Sequence, residues 1–307
     1  MRRRTARSHL TRDKRIATWF CTTCALAMLC CGRALTQEQP PLEEISVLAE
    51  RQVALETQAL TLSETPGVGP HLEHPYAIIG LGPRIAPIYD GSKAMKASLL
   101  PYIDVRGLFD DRVFFSDVEG LGLKVLNDGP ARAGVTVNYS RGRTSSDDFH
   151  LTGLPNIAGA AQVGGYLAYV LRPVGLEARV QHRLGSASGT QVSFGGSVSA
   201  APTPQFHVSL SAEVTWTDAS YNKTFFGVTA AEAAQATVQG NPLTPYTPGS
   251  GLNSVALTGA GVYQLGDHWG LIARVGLREL VGKSVKDSPL TQRTFQPNIA
   301  FGAAYKF

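Results

Sequence analysis

The sequence predicts an all-β protein, a transmembrane antiparallel up-and-down β-barrel that follows an export signal. Three observations lead to this prediction: a basic, then apolar N-terminus, long stretches of strict apolar–polar alternation, and a last strand that ends in phenylalanine. Twelve strands fit the chain best, and ten strands are the alternative. The predicted segments are a signal peptide (1–34), a periplasmic extension (35–75) and an outer-membrane barrel (76–307).

The first 34 residues have the parts of a cleaved signal peptide. Basic residues from Arg2 to Arg15 precede an uncharged, mostly apolar run from Ile16 to Cys31. This run is shorter than the about 20 residues that a membrane-spanning helix needs. Gly32 and Ala34 then supply the small residues that a signal peptidase requires. We therefore predict cleavage after Ala34, with a retained membrane anchor as the alternative.

Cleavage would change the composition of the mature chain. All four cysteines lie before residue 35, so the mature chain is predicted to form no disulfide, zinc–thiolate site or cysteine nucleophile. The 28 basic and 24 acidic residues become 20 and 23, and the net charge of +4 becomes −3. Because the basic excess belongs to the signal, the charge gives no support to a nucleic-acid partner.

The clearest predicted strand runs from Phe206 to Thr217. Apolar and polar residues alternate over its whole length, and the apolar face has an aromatic residue at each end. Successive side chains of a strand point to opposite faces, so one face is apolar. Similar stretches begin near Ala133, Leu176, Val192 and Trp269. Alternation this long and this frequent predicts the lipid-facing wall of a barrel.

The chain ends in a strand with aromatic residues on one face. Phe301, Tyr305 and the terminal Phe307 share that face with Ile299 and Ala303. A closing strand of this kind resembles the assembly signal of outer-membrane barrels, and we predict that role for Phe301, Tyr305 and Phe307.

The turns set the strand count. Short turns near Phe109, Asn127, Arg172, Ala201 and Leu265 are predicted to be periplasmic. Longer connections at 143–155, 185–189, 218–250 and 282–290 are predicted to lie outside. Twelve strands require a short hairpin between Arg112 and Leu126, with its turn near 116–119.

Charged residues are predicted to line the lumen. The strand phasing gives nine cations and three carboxylates, an excess that favours anions if the pore is open. A filled lumen, in which the charges pair or are solvated, is the alternative. The predicted residues are Arg84, Asp104, Arg106, Lys124, Arg132, Glu177, Arg179, Arg183, Glu213, Arg274, Arg278 and Lys306.

No enzyme motif stands out in the chain. Asp147, Asp148 and His150 could activate water as in a barrel protease, with Asp267 and His268 as a second pair. The predicted topology places the two groups at opposite ends of the barrel. The sequence therefore predicts a protein without an enzyme active site, a cofactor or a metal.

From about residue 74 onward the chain resembles the MipA/OmpV family of outer-membrane proteins. The segments 80–83 and 87–92 resemble its first strand and loop, and 287–290 with 305–307 resemble its end. The most specific match is the loop 221–229, with Tyr221, Phe225, Phe226, Gly227 and Val228.

The resemblance implies a scaffold that links a lytic transglycosylase to a murein synthase at the outer membrane. A small anion-preferring diffusion channel and a surface antigen or adhesin that uses 218–250 are the alternatives. Outer-membrane lipid and lipopolysaccharide are the expected surroundings, and the sequence predicts no oligomeric state.

Overall fold

The computed structural model describes residues 75–307, which form a closed barrel of twelve antiparallel strands. The strands are β1 (Tyr76–Pro87), β2 (Met95–Gly107), β3 (Val113–Ser116), β4 (Gly120–Asp128), β5 (Ala131–Ser140), β6 (Ala160–Leu171), β7 (Val174–Arg183), β8 (Gly189–Thr203), β9 (Phe206–Thr217), β10 (Gly251–Leu265), β11 (Trp269–Leu280) and β12 (Phe295–Lys306). The pairing of β1 with β12 closes the barrel. The predicted twelve-stranded barrel is confirmed, and the ten-stranded alternative is wrong. The predicted signal peptide (1–34) and the extension (35–75) lie outside the described residues, apart from Pro75.

The strands are joined alternately at two ends of the barrel. The short-turn end carries the turns near Phe109, Asn127, Arg172, Ala201 and Leu265, together with the beginning of β1 and the end of β12. The long-loop end carries the loops 88–94, 141–159, 184–188, 218–250 and 281–294. The turns and loops are therefore separated as the alternation of an up-and-down barrel requires.

β3 and β4 form the short hairpin that the twelve-strand count requires. β3 has four residues, and the turn 117–119 leads directly into β4. Gly120 has a φ of 78°, and a Cβ there would collide with the Val137 carbonyl and the Asn138 side chain. Glycine thus allows the tip of the hairpin to lie against β5. The hairpin ends part of the way along its neighbours.

The outer surface of the wall is apolar. Leu81, Leu99, Phe194 and Phe301 are all more than half exposed, at 55%, 71%, 62% and 62%. Such a surface is unfavourable in water and favourable in hydrocarbon, because its transfer from water is worth roughly 25 cal/mol per Å². The alternation that predicted the strands therefore gives the barrel a lipid-compatible exterior.

Aromatic rings gather where the chain ends. The Tyr305 ring lies 5.1 Å from Trp269, 5.3 Å from His268 and 4.8 Å from Phe307, centroid to centroid. The Phe307 N–H donates to the Ala77 carbonyl at 2.9 Å. The ring cluster lies beside the β1–β12 seam at the short-turn end. Its role as an assembly signal stays a prediction.

The loops at the long-loop end contain three helices and a 3₁₀ turn. The helices are α1 (Ala219–Phe226), α2 (Ala230–Val238) and α3 (Lys283–Lys286), and the 3₁₀ turn is Phe149–Leu151. Asp218 caps α1 through the Tyr221 N–H, and Thr229 and Glu232 form a capping box on α2. Within residues 75–307 no helix is long and apolar enough to cross a membrane.

Candidate functional site

An apolar cluster occupies the lumen towards the short-turn end. Ile78, Val262 and Ala304 point inward from three strands, and each is 1% exposed. Tyr76, Tyr102 and Ile272 pack against them. Lys306, predicted to face the lumen, holds its Nζ 5.6 Å from the centroid of the Tyr76 ring. This part of the interior is therefore filled by side chains.

A buried ion cluster lies inside β2, β3 and the hairpin turn. The Arg106 Nε donates to Asp104 Oδ1 and its Nη2 to Glu119 Oε2, both at 2.8 Å. The guanidinium also lies 5.5 Å from the centroid of the Phe114 ring. Arg106 and Asp104 were predicted from strand phasing. Glu119 was missed because it belongs to the turn 117–119, where phasing does not apply.

A second buried pair is held by an unusual turn. Lys124 Nζ donates to Asp111 Oδ1 at 2.7 Å, with both side chains at most 3% exposed. Phe109, Asp110 and Asp111 have φ values of 51°, 57° and 59°, so the turn is left-handed. This conformation costs roughly 1–2 kcal/mol per residue for L-amino acids. It directs Asp111 inward, although a turn aspartate would be expected to face solvent. The predicted Arg132 is buried and also interacts electrostatically with Asp111.

A polar chamber of about 200 Å³ lies inside the barrel. The predicted residues Arg179, Glu213 and Arg278 line it, and Arg179 Nη2 bonds Glu177 Oε1 at 2.8 Å. Asp90, from the loop after β1, approaches Arg278 at 3.5 Å. The remaining polar lining is mostly amides and hydroxyls: Asn138, Gln181, Gln191, Ser193, Thr215, Tyr221, Asn253 and Ser254.

The long loops pack into a cap over the chamber. Tyr89, Leu151, Val228 and Leu290, from four different loops, belong to one buried cluster. The Tyr89 hydroxyl donates to the Leu290 carbonyl at 3.2 Å. Burial, with a smaller effect of Asp148, raises the pKa of Tyr89 well above its usual range, which keeps the phenol neutral. The cap therefore has a hydrophobic core of its own.

The family-resembling loop is built into the cap. Tyr221, Phe225 and Phe226 lie on α1, and Phe226 is fully buried. The Phe226 carbonyl accepts from Ser288 Oγ at 2.6 Å, and the Phe225 carbonyl accepts from Arg143 Nη1 at 2.9 Å. After Gly227, Val228 pairs with Tyr246 in a short bridge. The specific residues of this loop thus hold the cap together.

Arg183, which was predicted to face the lumen, also holds the cap in place. It is 1% exposed and donates to Ser140 Oγ at 3.3 Å and to the carbonyls of Ala158 and Ala187. Its guanidinium lies 5.6 Å from the centroid of the Phe225 ring. Arg183 therefore ties the wall to the loops.

The interior charges are more balanced than strand phasing predicted. Asp90, Asp111 and Glu119 face the predicted cations in addition to Asp104, Glu177 and Glu213. All three are turn or loop residues. The remaining predicted cations, Arg84 and Arg274, repel each other, and Arg274 attracts Asp117 of the hairpin turn.

The structure does not bring the candidate catalytic residues together. Asp148 accepts from the His150 N–H at 2.8 Å and caps the 3₁₀ turn. Asp147 accepts from the Thr144 N–H, and backbone hydrogen bonding lowers the pKa of Asp147. His268 lies at the short-turn end, where its Nδ1 is 2.9 Å from the Lys306 carbonyl oxygen. The two groups therefore lie at opposite ends of the barrel.

A closed antiparallel barrel with an apolar wall and a polar interior defines an outer-membrane β-barrel protein. The chain belongs to the MipA family: residues 79–307 match the family described as MltA-interacting protein MipA. The predicted family is therefore confirmed. No curated protein sequence matches the chain.

Solved outer-membrane barrels resemble this chain in fold. The translocator domain of the autotransporter NalP from Neisseria meningitidis is 11% identical, with 86% of this chain and 96% of that chain covered and a TM-score of 0.40. An anion-selective porin from Comamonas acidovorans is 9% identical, with 76% and 99% covered and a TM-score of 0.32.

Proposed function

We propose that this protein is a non-enzymatic scaffold that holds murein enzymes at the inner leaflet of the outer membrane. In this proposal the signal peptide is removed after Ala34, and the short-turn end faces the periplasm. The partners are a lytic transglycosylase of the MltA type and, beside it, a murein synthase. The family description supports the first partner.

The observation that carries the proposal is the obstruction of the lumen. The apolar cluster around Ile78 and Val262 fills one part of it, and the cap covers the other end. A diffusion channel needs a continuous water-filled path. A barrel whose interior is filled in this way is better suited to present a surface than to conduct solutes.

The short-turn end offers an anchor for a partner. Phe109 is 77% exposed at the tip of the left-handed turn. The buried Lys124–Asp111 pair fixes the base of that turn. A rigid, exposed aromatic residue is the kind of group that dominates binding at protein interfaces.

The test is to cross-link intact cells that express a tagged copy and to identify what co-purifies with it. We expect a lytic transglycosylase or a murein synthase well above the level of a control barrel. Phe109→Ala should lower this recovery. Val238→Ala is the matched control, since Val238 is 88% exposed but lies at the long-loop end. Recovery of lipopolysaccharide and porins alone would remove the scaffold proposal.

The polar chamber favours a second candidate function, a small anion-preferring channel. Arg278 and Arg179 line the chamber, and Arg274 lies on the same face of β11 as Arg278. Bilayer recordings test this candidate. If the protein conducts, replacement of Arg274 and Arg278 by glutamine should reduce anion selectivity. A bilayer without conductance would leave the scaffold as the better proposal.

A further inference from the structure

The barrel wall is interrupted between β2 and β5. β3 is in register with β2 only at Asp104 and Val105, although β2 extends to Met95. β4 pairs with β5 no further than Val137. Among the described strands, no ladder joins β2 to β5. We call the opening between 95–103 and 138–140 the wall gap.

The β2 edge presents backbone groups to the wall gap. The Asp117 N–H donates to the Ile103 carbonyl at 3.0 Å, so the backbone of Ile103 faces this side. Because the hydrogen-bonding direction alternates along a strand, Ala97, Leu99 and Pro101 face it too. Pro101 has no N–H, so the strand edge has one unpaired donor fewer at this position. Hydrocarbon does not tolerate an open strand edge, so the gap requires an occupant with polar groups.

The wall gap adjoins the polar chamber. Val118, in the hairpin turn, and Asn138, at the β5 edge, border the gap and also line the chamber. Asn138 Oδ1 is buried and has no hydrogen-bond partner among the described residues. A molecule in the gap could therefore direct a polar group towards the chamber.

Cations lie beside the wall gap. Arg84 is on β1 opposite Ser98 of the β2 edge strand. Arg141, Arg274 and Arg278 repel Arg84, and the carboxylate of Asp90 attracts it. A second carboxylate, Asp117 of the hairpin turn, attracts Arg274. Arg141 is exposed and directly follows the β5 edge. The nearby Asp147 interacts with Lys96 and Arg141. The cations outnumber the carboxylates here, which favours an anionic ligand.

We propose that the wall gap binds a phosphorylated membrane lipid, with its phosphate at Arg84 and Arg141 and its acyl chains in the bilayer. Leu99 and Tyr139 flank the gap, are 71% and 73% exposed, and provide the apolar contacts. The lipid phosphate and ester oxygens accept from the N–H groups of the strand edge, and hydroxyl groups of the lipid headgroup donate to its carbonyls. This site is separate from the short-turn surface proposed for murein enzymes.

The test is a titration of the purified protein with phosphatidylglycerol in a mild non-ionic detergent, followed by native mass spectrometry. We expect one tightly bound lipid. The double variant R84Q/R141Q should bind at least about tenfold more weakly, because charge-assisted hydrogen bonds to phosphate are lost. K283Q/K286Q is the control, since it removes the same charge from exposed residues of α3. Its affinity should equal that of the wild type.

R141Q alone keeps the test valid if R84Q/R141Q fails to fold, because Arg141 is an exposed loop residue. It should weaken binding a few-fold. An equal loss in the control would show non-specific attraction and overturn the proposal. Displacement of the lipid by equimolar inorganic phosphate would identify a free-anion site instead. Disulfide-linked dimers of L99C would place a second copy of the chain in the gap and would also overturn it.

Discussion

Two sectors of the barrel are built differently. The regular sector, β6 to β12, consists of strands of 10 to 15 residues that pair along nearly their full length. The interrupted sector, β2 to β5, contains a four-residue strand and the wall gap. Arg106 and Lys124 of the interrupted sector are buried in ion pairs, whereas Arg278 of the regular sector faces the chamber. Buried ion pairs thus lie beside the short hairpin, whereas cations of the regular sector border the open space of the chamber.

The largest expected effect is the loss of the Arg106 cation. Arg106→Leu leaves Asp104 and Glu119 buried without their ion-pair partner, and removal of one member of a buried pair costs about 3–5 kcal/mol. We expect a loss of that size in urea unfolding of the folded barrel. Arg179→Leu in the regular sector should cost less, because its side chain is 13% exposed and borders the chamber.

A triple variant separates charge from packing. Arg106→Met with Asp104→Asn and Glu119→Gln removes all three charges. It should recover much of the stability that Arg106→Leu loses, since neutral amides then replace the buried carboxylates. If the triple variant is as unstable as the single variant, packing around Phe114 and not charge determines the effect.

Hydrogen exchange compares the two sectors directly. The N–H groups of Ala97 and Leu99 face the wall gap, whereas those of Val255 and Leu257 lie within the β9–β10–β11 ladders. In lipid-free detergent micelles the β2 amides should exchange roughly a hundredfold faster, because they lack a strand partner. Exchange mass spectrometry on peptides from 95–102 and 255–262 measures this. Equal protection would mean that the β2 edge is paired.

An added methyl group should destabilise the interrupted sector and leave the stability of the regular sector nearly unchanged. A Cβ at Gly122 would overlap the ring of Phe114, which is fully buried and cannot move aside. Gly122→Ala should therefore cost about 1–3 kcal/mol. A Cβ at Gly259 meets no atom within 4 Å, so Gly259→Ala should be neutral or slightly stabilising. Both values come from urea unfolding, and a neutral Gly122→Ala would contradict the tight interior packing.

The regular sector was predictable from residue alternation alone. A strand such as Phe206–Thr217 shows its two faces in the sequence because lipid and lumen select opposite residue types. The β3–β4 hairpin could be predicted only from the rule that strands alternate in direction. Asp111, Glu119 and Asp90 could not be predicted as interior residues, because turn backbones direct them and turns have no period. The cap could not be predicted from the sequence either, since its contacts join loops that are far apart in the chain.

The cap covers both sectors. The smallest expected effect is the loss of cap stability at alkaline pH. Burial raises the pKa of Tyr89 above that of the unfolded chain, where tyrosine titrates near about 10. A raised pKa in the folded state contributes stability below the unfolded value, and this contribution is lost as the pH rises towards the folded value. Cap stability should therefore fall above about pH 10.

Tyr89→Phe should reduce this alkaline loss and cost about 1 kcal/mol at neutral pH, because the bond to the Leu290 carbonyl disappears. Limited proteolysis of the loop 218–250 measures cap opening. The measurement runs from pH 7 to about pH 11, roughly one unit above the pKa of tyrosine in the unfolded chain. Tyr221 keeps some pH dependence in the variant, since burial also raises its pKa. If Tyr89→Phe and the wild type open in parallel across the whole range, ionisation of Tyr89 does not contribute, and the cap is held by its apolar core alone.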